Sequence, residues 1–331
     1  MFNNRTKNQH YISQVEQKLN SINPESSRNK RKIFEYELLD RELDTYQKTY
    51  PNGVKIEQNL SFNDLYTFEV LTNQTRNNFE IFFQKYENEI EILTINLIEK
   101  SKNNQPITED EVFKLITCKF LNFLRNPFSI KKVINTFYQS LDYHPQEVFL
   151  AQEFNKLNKD NILIPQQYLD NLNISTDDYI NWLKILFISL AVEMESESLT
   201  EKLIKATLDT NNRIVLMRLN IYDSEICLLS DRGYVDQSSL FKGSFCMSFN
   251  LTKNAFITII TLDNSITTLR SSNLGLNDHL DILETRGFTK MEVNRINLYV
   301  VKNDLEMLKA YNSNVKYQCN RNFYCSSDKF L

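Results

Sequence analysis

The chain reads as a single α+β unit, residues 1–331, in which a helical middle packs on a mostly antiparallel C-terminal sheet and an N-terminal strand docks on that sheet. Two changes of texture point there. Near Ser61 the apolar positions pass into three- and four-residue steps, and near Asn211 they pass into short β-like runs separated by turn formers. A third observation sets the scale. Of the 331 residues 41% are hydrophobic, with 22 Phe and 16 Tyr, enough to bury a core and far from a disordered composition.

Residues 1–60 read as strand and loop. NQHYISQ, Asn8 to Gln14, holds one of the three histidines and reads as a polar strand. On a strand His10 shares a face with Ile12 and Gln14, while Gln9 and Tyr11 point the other way. SINPESSRNKR is a loop punctuated by Pro24 and a serine pair. KIFEYELLD, Lys32 to Asp40, alternates as a strand, and the PNG of Pro51 to Gly53 marks a turn.

Residues 61–210 read as helical. Phe79, Phe82, Phe83, Tyr86, Ile90, Leu93 and Leu97 form an apolar stripe, with Ser61 or Asn63 as the cap if that helix starts early. Thr108 followed by Glu111 is a capping box for the next helix, and Pro127 should end it after Arg125 and Asn126. HPQEVFLAQEFNKL and PQQYLDNL continue the pattern. Tyr179 to Met194 is the most hydrophobic run, but Lys184 interrupts it and it falls short of the roughly 20 apolar residues that cross a bilayer. It reads as a buried core helix extending to Leu208, with the charged MESESLTEK on its solvated side.

Residues 211–331 read as an antiparallel sheet plus a C-terminal helix. RIVLMRLNI, EICLLSD, SFCMSFNL and AFITIITL are the strands. Met291 to Asn314 reads as at least partly helical, and VKYQC as a returning strand.

Composition excludes several function classes. Lys+Arg number 38 against 42 Asp+Glu, so the strongly basic balance of a dedicated nucleic-acid binder is absent, although a local patch is not excluded. The five glycines form neither GxGxxG nor GxxxxGK[ST], which removes the glycine-rich phosphate cradle. The five cysteines, Cys118, Cys227, Cys246, Cys319 and Cys325, show no CxxC spacing, and no signal peptide opens the chain. The expectation is reduced thiols in a cytoplasm, with Cys319 and Cys325 able to bridge only in an oxidising compartment.

Several of these stretches together resemble a bacterial family known as domain of unknown function 4238. NQHYISQ resembles its Asn/Gln-His-Tyr-Val-Pro-Gln opening, with Ser13 in place of the proline. KIFEYELLD is similar to the strand that follows, and Glu80 and Glu87 to two glutamates seven apart on a helix. LLSDRGYV resembles a Ser-Asp-x-Pro-Val element through Ser230 and Asp231, with Gly233 and Tyr234 where the proline would stand. Asn297 is the candidate for an asparagine on a C-terminal helix. The resemblance implies one unit and a bacterial setting, and no activity.

Three groups of residues carry candidate chemistry. His10 has the residue type for proton transfer or metal ligation, but Gln9, Tyr11 and Gln14 beside it are hydrogen-bonders that equally suit a polar strand end. Glu80, Glu87 and Glu91 lie on one side of a helix, where carboxylates can hold Mg²⁺ or Mn²⁺ or simply border the buried face. Asp231, after Ser230, ends a strand, where it serves a metal site or caps a turn. The sharpest enzymatic expectation joins His10, Glu87 and Asp231 in a nuclease or phosphodiesterase, with Glu87 and Asp231 as metal ligands. No cofactor is otherwise evident. The competing expectation is an accessory protein acting by binding an unidentified protein partner, in phage defence or a mobile element. For contact with nucleic acid or a partner the candidate is KFLNFLRNPFSIKK, with Lys119, Arg125, Lys131 and Lys132 interleaved with Phe120, Phe123 and Phe128.

Overall fold

The computed structural model of the chain describes residues 1–72, 75–157, 166–211, 213–238, 244–263, 289–293 and 296–331. Its N-terminal region is a set of short strands around one helix: β1 (Asn3–Asn4), β2 (Asn8–His10), α1 (Gln14–Leu19), β3 (Lys32–Asp40), β4 (Thr45–Lys48) and β5 (Val54–Lys55). The strand in NQHYISQ ends at His10, because Ser13 caps a helix: its Oγ accepts from the Glu16 amide at 3.1 Å.

Strands continue past Ser61, as β6 (Ser61–Asn63), β7 (Thr67–Thr72) and β8 (Thr75–Asn78), so the helical region starts later than its sequence suggests. TFEVLT is rich in β-branched and aromatic residues, which suit a pleated surface. The long helix begins only where the Asn78 side chain accepts from the Glu80 amide at 3.1 Å.

The middle comprises α2 (Glu80–Lys102), α3 (Glu109–Leu124), α4 (Ile130–Thr136), α5 (Val148–Asn155), α6 (Gln166–Leu172), α7 (Thr176–Ala191) and α8 (Leu199–Thr207). Thr108 and Glu111 form the full capping box of α3, and that helix stops at Leu124, with Asn126 capping a short turn that starts at Pro127. The core helix does not run on to Leu208. MESESLTEK instead forms the hairpin β9 (Glu193–Met194) and β10 (Glu197–Ser198), with Glu195 and Ser196 at positive φ, and Ser198 with Glu201 caps α8.

The C-terminal region contributes β11 (Arg213–Ile221), β12 (Leu229–Ser230), β13 (Val235–Asp236), β14 (Ser244–Thr252), β15 (Ala255–Asp263), β16 (Thr289–Val293), β17 (Ile296–Lys302), α9 (Leu305–Gln318) and β18 (Asn322–Cys325). Six of these strands form one sheet in the order β13-β14-β15-β11-β17-β16, antiparallel except for the β11–β17 pair. Asn297 therefore sits on a strand, opposite Leu216, rather than on a helix. Its side chain lies outside the described residues. The neighbours Leu298, Tyr299, Val300 and Val301 are all buried, and a central strand covered on both faces has no alternation to read. VKYQC belongs to the end of α9 and the turn after it.

The N-terminal region does dock on C-terminal strands, but through other residues than NQHYISQ. β3 pairs with β18, and the end of α1 meets the sheet where the Lys253 amide donates to Leu19 O at 3.0 Å and Asn20 Nδ2 to Asn250 Oδ1 at 2.7 Å. β2 pairs with β6, and β1 with β8.

The larger apolar core joins α2, α3 and α7 to one face of the six-stranded sheet, and a smaller cluster packs α9 on the other, with Phe256 and Tyr311 stacked at 4.0 Å. Two large buried aromatics of this core have their polar tips satisfied: Trp182 donates to Leu124 O at 2.8 Å and Tyr66 to Arg125 O at 2.9 Å. Among the described residues no helix is long and apolar enough to cross a membrane. All five cysteines are buried free thiols, Cys319 and Cys325 included.

Gly233 marks the point where three segments close on one another. Its φ is +75°, and a Cβ there would lie 2.5 Å from Ile12 Cδ1 and 2.8 Å from Asn122 Cβ. Gly233→Ala is expected to lower stability by about 2–4 kcal/mol from strain and overpacking combined, read from the urea unfolding midpoint; an unchanged midpoint would contradict this packing.

Candidate functional site

His10 lies at the junction of β2 and α1, and both its ring nitrogens are engaged. Nδ1 is 3.0 Å from Asn59 O, which can only accept, so Nδ1 carries the hydrogen. Nε2 then accepts from Gln14 Nε2 at 2.8 Å, and Gln14 Oε1 in turn accepts from Arg28 at 2.8 Å. Burial, with the charges of Arg125 and Arg28 adding to it, pulls the imidazole pKa down to about 4 against the Asn59 bond. His10 is a neutral connector whose lone pair already has a donor.

Its neighbours are engaged in the same way. Gln9 is fully buried and takes the Tyr66 amide at 2.5 Å while donating to Thr67 Oγ1 at 3.1 Å. Tyr11 is buried between Phe62 and Phe128, with ring centroids 5.6 and 5.5 Å away.

A buried ionic network lies beneath this segment. Glu16, Lys119 and Arg125 are 1%, 1% and 2% exposed, so none of them can meet a macromolecular partner at the surface. Glu16 Oε1 accepts from Lys119 at 2.7 Å and from Asn122 at 2.8 Å, Arg125 stands 4.0 Å from Oε2, and Arg125 donates to Glu87 at 2.5 Å. Burial disfavours the Glu16 carboxylate, but the Lys119 and Arg125 charges outweigh it and hold the group below its ordinary range. KFLNFLRNPF is accordingly not an external patch. Lys119 and Asn122 of α3 and Arg125, the residue that caps its end, recur at three-residue steps facing inward, and Phe120 and Phe123 are also buried. Only Lys131 and Lys132 of the basic residues named there are exposed, and Lys132 is paired with Asp236.

The three candidate glutamates of α2, Glu80, Glu87 and Glu91, meet different fates. Glu87 binds Arg125, and Glu91 binds Lys18 at 2.5 Å. Glu80 is pushed up to about 8, chiefly by burial and then by the charge of Glu87, so it holds a proton at neutral pH. Among the described residues no three His, Cys, Asp or Glu side chains are grouped to hold a metal ion.

Asp231 closes a turn. Its carboxylate accepts from the amides of Asn320 at 2.7 Å, Arg321 at 2.7 Å and Asn322 at 2.9 Å, and its carbonyl accepts from Asn126 at 2.8 Å. Burial raises its pKa, and the three amides oppose the rise. Ser230, also buried, accepts from the Arg232 amide at 3.1 Å. His10 and Glu87 both feel Arg125, but no hydrogen bond or ion pair joins any two of His10, Glu87 and Asp231.

Sequence reading missed Glu16 and Asn122. The one local signal was Ser13-x-x-Glu16, a capping box by pattern, which says nothing of a lysine 103 residues away.

No family model, no curated protein and no solved structure matches the chain.

The depressed His10 pKa has a signed consequence for stability. Between about 4 and the ordinary imidazole value of 6.5 the unfolded chain binds a proton that the folded chain does not, so stability is full above 6.5 and lost as pH falls toward 4. Urea titrations across that window are expected to show a loss of up to about 3 kcal/mol that is absent in His10→Gln. An equal loss in both proteins would contradict the tautomer and contacts described.

Proposed function

We propose that the chain is a bacterial accessory protein that acts by binding, and that NQHYISQ is a structural clamp rather than part of a reaction centre. One observation carries this reading: both His10 ring nitrogens are held by Asn59 and Gln14, both Asp231 carboxylate oxygens by three backbone amides, and Glu87 Oε1 by Arg125. A general base or metal ligand needs a free lone pair facing substrate. The resemblance to domain of unknown function 4238 and the Asn/Lys/Ile-rich texture support a setting in phage defence or a mobile element, in a cytoplasm. For a partner, the exposed apolar side chains Leu39 and Leu43 on the β3–β4 hairpin, with Tyr50 beyond it, are better placed than KFLNFLRNPF.

The competing reading, a Mg²⁺- or Mn²⁺-dependent phosphodiesterase, is tested directly. The purified chain is titrated with Mn²⁺ by calorimetry and assayed on bis(p-nitrophenyl) phosphate and on DNA. No saturable metal binding and no metal-dependent hydrolysis are expected. Metal-dependent turnover that Glu87→Gln or Asp231→Asn abolishes in a folded protein would overturn the binding reading.

A further inference from the structure

A recess of about 270 Å³ opens between the β3–β4 turn, α4, the β12–β13 turn and the end of α9, lined by Arg41, Lys132, Arg232, Tyr234, Asp236, Tyr317 and Gln318. It is slightly smaller than the roughly 300–1,000 Å³ of pockets that enclose whole drug-sized ligands, so it suits one compact group. Three cations line it against a single carboxylate. That imbalance is unusual for a chain with more acids than bases.

Arg232 is the most telling of the three. Its Nε is shielded from solvent and has no hydrogen-bond partner, and among the described residues its guanidinium forms no ion pair. The Tyr234 hydroxyl and the Asp231 charge are within reach of it, but among the described residues no carboxylate contacts the guanidinium, and a half-buried charge so placed is better satisfied when a ligand supplies an anion. Arg41 donates to Cys319 O at 2.8 Å and lies over the Tyr317 ring at 6.0 Å, which leaves further N–H groups free. Lys132 is held by Asp236. Burial, and then the nearby Arg232 charge, lowers the Lys132 pKa, so these two cations stand close enough to repel. Of the neighbouring acids, Asp44 is engaged with Lys316, while Glu42 accepts from the rim residue Tyr317 at 3.4 Å.

We propose that this recess binds the phosphate of a small phosphomonoester, with Arg232 and Arg41 as forked donors and Lys132 released from Asp236 to complete the set. Guanidinium forks match phosphate oxygens in pairs, and a dianion suits a site whose two guanidiniums, among the described residues, form no ion pair. The Tyr317 ring, 53% exposed at the rim, offers an aromatic face to the remainder of the ligand, so a nucleoside monophosphate fits better than free phosphate. The proposal goes beyond the binding reading, by naming a ligand class and a place, and uses none of His10, Glu87 or Asp231.

The test is calorimetric titration of the full chain, metal-free and at low ionic strength, with inorganic phosphate, with AMP and with a single-stranded oligonucleotide. Saturable binding is expected, tighter for AMP than for phosphate. Arg232→Met should weaken AMP binding at least tenfold. Asp236→Asn should strengthen it several-fold, since it frees Lys132 yet retains the Oδ1 that accepts from the Ser238 amide at 2.9 Å. Circular dichroism melts establish that each variant folds, and Lys132→Met replaces Arg232→Met if the latter does not. The proposal fails if neither phosphate nor AMP saturates, or if the folded variants bind as the parent does. It fails equally if the oligonucleotide binds more tightly than AMP, which would assign the recess to nucleic acid. Because metal and hydrolysis play no part, failure here leaves the binding reading standing, and hydrolysis in the metal assay would leave this result standing.

Discussion

The buried ionic network of Glu16, Lys119, Arg125 and Glu87 is the constraint on which the arrangement of the N-terminal half depends. It ties α1 to α3 and α3 to α2. Such a network is demanding: each ion loses several kcal/mol of hydration, and only close geometry with further hydrogen bonds offsets the loss. Asn122 supplies one such bond, the Ser13 hydroxyl donates to Glu16 Oε2 at 3.1 Å, and the Phe83 ring lies 5.2 Å from the Arg125 guanidinium. Other packings of α1 would leave at least one buried charge unpaired. The network therefore gives specificity of arrangement more than net stability.

From that anchor the remaining polar contacts follow. With α1 fixed, Ser13 and Gln14 hold the end of β2, and His10 bridges Gln14 to Asn59. At the other end of α1, Asn20 bonds Asn250 and so ties the helical half to the six-stranded sheet. Arg125 and Asn126 extend the chain of contacts, through the Tyr66 hydroxyl on the Arg125 carbonyl and the Asn126 amide on the Asp231 carbonyl. Polar residues that look like an assembled reaction centre in sequence are thus the internal hydrogen bonding of a three-way junction. The chemistry left facing outward is of another kind: cations around a small recess and apolar side chains on a hairpin.

Local signals in the sequence were legible and long-range ones were not. The Thr108–Glu111 box and the stop before Pro127 depend only on nearby residues, and the α+β layout follows from periodicities that any packing preserves. β7 was hidden because short strands beside a strong helical stripe borrow its apparent period. β17 was hidden because burial on both faces erases the alternation that distinguishes a strand from a helix. In KFLNFLRNPF the basic and aromatic residues both point inward, and composition alone cannot tell an inward lysine from an outward one. Asp231 was legible as a residue with a task, but the amides that use it lie 89 to 91 residues away.

The most direct measurement is a double-mutant cycle between Glu16 and Lys119, with each replaced by Met and stability read from urea unfolding at neutral pH. Either single change strands a buried charge and should cost about 3–5 kcal/mol, whereas the double change removes both charges and leaves Arg125 its bond to Glu87. A coupling of about 2 kcal/mol or more, with the double variant no less stable than the singles, is the expected result. Losses that add to within about 0.5 kcal/mol would contradict it, and with it the claim that this network fixes the N-terminal half.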